Sequence, residues 1–60
     1  MLPDLPVALR RSIFADLVLE QDQGVGVRAS RFAVARRHGI TVDDVRRIEQ
    51  EGLDLQWPPL

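Results

Sequence analysis

Eight arginines and one histidine are the only basic side chains in this 60-residue sequence, and lysine is absent. The arginine guanidinium is always charged and planar, and it can bond a phosphate or a guanine edge through two parallel N–H groups. The arginines are unevenly placed. Residues 24–42 hold Arg28, Arg31, Arg36 and Arg37 with no acid, a local charge of +4, while residues 1–23 carry −2 and residues 43–60 carry −3. A patch of that sign suits phosphate oxygens, so these four arginines are the candidate phosphate ligands. The alternative is a solvated basic face. Arg46 and Arg47 fall where a helix would turn them away from its apolar stripe, and arginine in that position can reach guanine O6 and N7 in the major groove. Helical spacing also allows both to pair instead with Asp43, Asp44, Glu49 or Glu51.

Other chemistries find little support. His38 has no cysteine or second histidine with which to bind a metal, and it reads as a helix-end residue favoured by the dipole when protonated. Asp43-Asp44 and Glu49-Glu51 would point in different directions on a helix, and nothing apolar is placed to raise a carboxyl pKa. Ser12 and Ser30 lack a base and an oxyanion site. Gln23-Gly24-Val25-Gly26 is too short to cradle a phosphate and serves as a flexible connection. The expectation is a protein that is not an enzyme, with no cofactor, metal or small-molecule substrate.

The elements that must position these side chains follow from periodicity. Residues 5–22 read as a first helix, with Asp4 as its N-cap, Pro6 in its first turn and an apolar stripe of Leu9, Ile13, Phe14, Leu17 and Val18. A second helix is expected over 28–38, starting at Arg28 or Arg31, with Ser30 as a candidate cap. Ala35 is small enough for a close helix crossing. Gly39 supplies the positive φ of a tight turn, and Ile40, Val45 and Ile48 point back between the helices. Thr41 is placed to cap a third helix from Val42, with Asp44 completing a capping box. That helix either stops at Gly52 or continues through Leu55 toward Trp57, and Pro58 and Pro59 end it in both cases. In the tail from 53 to 60, Trp57 either folds back over the core or remains exposed with Leu55 and Leu60 as a protein-docking patch.

The segment from Val34 to Leu53 resembles, without a gap, the region-four helix-turn-helix of bacterial sigma factors. The family pattern is a threonine, three variable residues, an aliphatic, an arginine, a polar residue, Ile-Glu and a small-Leu pair. Here it reads Thr41, Val42-Asp43-Asp44, Val45, Arg46, Arg47, Ile48-Glu49 and Gly52-Leu53. The resemblance implies a helix that enters the major groove of a promoter element, with Asp43, Arg46 and Arg47 contacting base edges. Val42 and Glu51 stand where the family usually has basic residues, which thins the phosphate anchoring on that helix.

The sequence thus predicts one all-α domain over residues 1–60: three helices with room for a short fourth helical turn, a bracing helix followed by a helix-turn-helix. Sixty residues without cysteine are near the lower limit for an unstapled core. With no membrane-length apolar run and no signal-like N-terminus, the expected location is the cytoplasm. The leading functional expectation is sequence-specific DNA binding by a small transcription regulator. Its rival is a protein-interaction module on the same tri-helical fold, motivated by the net charge of −1. RNA polymerase, another protein or a second copy are the expected protein partners, an exposed stripe of Leu2, Leu5 and Leu55 being the feature that would favour a homodimer.

Overall fold

The computed structural model describes residues 4–60, in which α1 (Val7–Asp22), α2 (Val27–His38) and α3 (Val42–Leu55) each pack against the other two. The all-α, three-helix architecture is the one expected. Leu2 lies outside the described residues.

Local chemistry sets most of the boundaries. Gly39 ends α2 in the left-handed region at φ 67°, a conformation that costs glycine little. The Ile40 amide then donates back to the Ala35 carbonyl at 3.0 Å, which closes the helix end. Two residues after Gly39, Thr41 starts α3. Its hydroxyl accepts from the Asp44 amide at 3.0 Å, and the Asp44 carboxylate accepts from the Thr41 amide at 3.3 Å, so the capping box forms as expected. Thr41 is exposed, so Thr41→Ala tests the cap without touching the core. The variant is expected to lose about 1 kcal/mol, read as a fall of about 4–8 °C in the thermal midpoint by circular dichroism.

Two helix starts differ from expectation. α1 begins at Val7, with Pro6 in the N-cap position and no side-chain cap, so Asp4 does not cap it. The Leu9 and Arg10 amides both donate to the Pro6 carbonyl at 3.0 Å. Proline's fixed φ suits the edge of a helix. α2 begins at Val27 behind Gly26, and Ser30 is a fully buried residue of its first turn instead of a cap. Its hydroxyl donates to the Val27 carbonyl at 2.7 Å and accepts from the Gln21 amide at 3.1 Å, tying α2 to α1.

The core comprises Ile13, Phe14 and Leu17 of α1, Val34 and Ala35 of α2, Val45 and Ile48 of α3, and Trp57 beyond α3. Leu5, Val18, Ile40 and Val42 pack against it from the edges. Leu9, expected in the stripe, is 40% exposed, because it lies about a quarter-turn from the direction shared by Ile13, Phe14 and Leu17. Gly52 does not stop α3, which continues to Leu55. It lies buried in the helix interior where the Phe14 ring crosses. Beside that crossing, Arg10 makes a two-pronged pair with Glu51 at 2.8 and 3.2 Å and also donates to the Leu5 carbonyl.

Gln56 adopts a left-handed conformation at φ 54°, and the Trp57 amide donates back to the Gly52 carbonyl at 2.9 Å. That reversal carries the indole onto Phe14, edge to face, with ring centroids 6.0 Å apart. The Arg11 guanidinium lies 5.8 Å from the indole centroid, within cation–π range. Among the described residues, no helix is long and apolar enough to cross a membrane.

Candidate nucleic-acid interface

α3 is amphipathic, and the residues opposite its buried Val45, Ile48 and Gly52 form a single polar face. Asp43, Arg46, Arg47 and Gln50 are all exposed and follow one another at i, i+3, i+4 and i+7. Those intervals bring side chains to one side of a helix, and a major-groove reading helix uses the same spacing. With Arg31 and Glu49 they line an open groove of about 360 Å³ beside α2. The structure therefore brings together the three residues expected to read bases and adds Gln50, which the sequence analysis did not single out. The signal for it was its place seven residues after Asp43 and four after Arg46.

Within that face the charges are differently engaged. Arg47 lies 3.9 Å from Asp43 across one helical turn, a loose exposed pair of the sort that contributes little. No ion pair among the described residues holds Arg46. Gln50 donates its amide N–H to the Asp54 carboxylate at 2.9 Å.

The four arginines of the basic segment divide into two pairs. Arg31 donates twice to Glu49, at 3.0 and 2.8 Å, and Glu49 also accepts from Gln21 at 3.4 Å. Arg37 donates to Glu20 at 2.6 Å and lies 3.5 Å from Asp16. Its hydrogen bond to Glu20 is the main reason its guanidinium titrates above the ordinary value, and the charges of Glu20 and Asp16 add to that. Arg28 and Arg36 are exposed, and no ion pair among the described residues involves them. The absence of acids between residues 24 and 42 did not keep the patch unneutralised, because α1 and α3 bring acids from outside it.

The remaining polar candidates are placed as structural groups. His38, in the last turn of α2, lies 2.8 Å from Asp16. Asp44 belongs to the cap of α3, Glu49 to Arg31 and Glu51 to Arg10, so the carboxylates that neighbour each other in sequence are held apart. No three His, Asp or Glu side chains among the described residues are grouped to hold a metal ion. The docking trio of Leu55, Trp57 and Leu60 does not form: Trp57 is 4% exposed in the core, while Leu55 and Leu60 are 61% and 60% exposed. The turn at Gln56 separates them by sending the indole inward and leaving its neighbours outside.

The α2–α3 face has to be understood from its own residues, since no protein-family model, no curated protein and no solved structure matches this chain.

Proposed function

We propose that α2 and α3 form a DNA-binding helix-turn-helix of a small transcription regulator. In this reading α3 lies in the major groove, Asp43, Arg46, Arg47 and Gln50 face base edges, and Arg28 and Arg36 hold phosphates. The observation that carries the proposal is the outer face of α3, a continuous polar surface presented by a helix whose start is locked by the Gly39 turn and the Thr41 cap. The resemblance of residues 34–53 to sigma region four supports the same orientation. No catalytic step and no cofactor belong to this reading. One such small domain covers little DNA, so action as a dimer or beside RNA polymerase is part of the proposal.

A second reading, a protein-interaction module, is favoured by the exposed Leu53, Leu55 and Leu60 near the end of α3 and by the acidic net charge. Titration of the protein with a mixed-sequence duplex, followed by amide chemical shifts, separates the two. If Arg28 and Arg36 are the phosphate contacts, affinity falls about tenfold between about 50 and 200 mM salt, since each contact contributes roughly −0.9 to the log–log slope. Shifts are expected within residues 28–50. The exposed Arg46→Ala/Arg47→Ala double variant should keep its fold and lose most of the binding. Absence of shifts at both salt concentrations would reject the DNA reading in favour of the protein-interaction one.

A further inference from the structure

We infer that Gln50, oriented by Asp54, reads adenine and rejects guanine; this rests on the DNA-binding reading above. Gln50 is exposed on the outer face of α3, one turn beyond Arg46 and on the same groove. Its Nε2 donates to Asp54 Oδ1 at 2.9 Å. A carboxylate can only accept, so the contact fixes which end of the amide is nitrogen and occupies one of its two hydrogens. What remains for a partner is the Oε1 acceptor and one N–H donor.

Only adenine matches that remainder in the major groove. It offers N6–H as donor beside N7 as acceptor, whereas guanine offers two acceptors, N7 and O6, cytosine a donor alone, and thymine an acceptor beside a methyl group. A free glutamine can turn both amide hydrogens toward guanine. With one hydrogen committed to Asp54, Gln50 cannot satisfy O6 and N7 together, and its own oxygen faces the guanine oxygen. Asp54 is thus a positioning residue, and its effect falls on discrimination more than on affinity. Four residues of helix advance about 6 Å, which places the adenine about two base pairs from the base read by Arg46, given a rise of about 3.4 Å per step.

Selection of sites from a randomised duplex library with the full chain, followed by titration of the selected site and its variants, tests this. The wild-type protein should select an adenine and bind about tenfold or more weakly when that A·T pair becomes G·C. Replacing that adenine with 7-deazaadenine, which lacks the N7 acceptor, should also weaken it. Gln50→Ala should bind the adenine, guanine and 7-deaza duplexes within about twofold of one another. Asp54→Ala removes a negative charge and so raises affinity for every duplex, yet its adenine-to-guanine ratio should shrink several-fold; a merely structural Asp54 would leave that ratio unchanged. A selected site at which Gln50→Ala alters no base preference overturns the inference and leaves DNA binding standing. An unchanged ratio in Asp54→Ala overturns the positioning role. No enriched sequence together with no salt-dependent binding overturns both the inference and the reading beneath it.

Discussion

Trp57→Ala is expected to remove about 3–5 kcal/mol, half or more of the stability of a domain this small. The indole is 4% exposed, packs edge to face on Phe14 and lies beneath the Arg11 guanidinium. Truncating a buried tryptophan to alanine costs about 3–5 kcal/mol. A domain of this length commands about 3–9 kcal/mol in all, at roughly 0.05–0.15 kcal/mol per residue. One side chain therefore holds a large fraction of the total. Urea and thermal unfolding by far-ultraviolet circular dichroism measure the loss. Leu55→Ala and Leu60→Ala are controls from the same stretch of chain. Both leucines are about 60% exposed, and each change should alter stability by no more than about 0.5 kcal/mol. A Trp57→Ala protein that melted like these controls would show that the indole contributes nothing to the core.

The second large effect carries a sign opposite to the one helix propensity gives. Gly52 sits inside α3, where glycine costs about 1 kcal/mol relative to alanine, so Gly52→Ala would stabilise an unobstructed helix. A Cβ there would instead come within 2.6 Å of Cγ, Cδ1 and Cε1 of Phe14. Phe14 is 1% exposed and held against Trp57, so its ring has no free direction in which to retreat. Overpacking typically costs about 1–3 kcal/mol; contacts this close put it at the upper end, for a net loss of about 2 kcal/mol. The three nearest atoms all belong to Phe14, so a double-mutant cycle with that residue identifies the clash. In a Phe14→Leu background the added methyl group should cost at least about 1 kcal/mol less. A rise in the midpoint of the single variant would mean that α1 does not cross α3 at Gly52.

Both predictions depend on contacts between residues far apart in the chain, and there the sequence was least informative. What it determined by itself was local. Gly39 ending α2, Thr41 and Asp44 capping α3 and the apolar spacing of Ile13, Phe14 and Leu17 are all legible, because caps and helical stripes involve residues within about four positions of one another. The outer face of α3 was equally legible at Asp43, Arg46 and Arg47, since the buried Val45 and Ile48 set the helix's rotation.

Only the tertiary structure decided which charges remain available and which apolar groups are enclosed. Arg31 meets Glu49, Arg37 meets Glu20 and Arg10 meets Glu51 across 18, 17 and 41 positions of sequence. Composition cannot reveal such pairs, because they depend on how the helices are rotated and crossed. The same geometry makes Gly52 a necessity of packing where periodicity alone leaves it a choice between stop and interior residue. It also turns Ser30 from a cap into a buried tie between helices. Trp57 could fold in or stay out on sequence grounds. The left-handed turn at Gln56 and the space beside Phe14 and Gly52 enclose it, since burying a large aromatic surface stabilises a small domain more than one strained backbone residue costs.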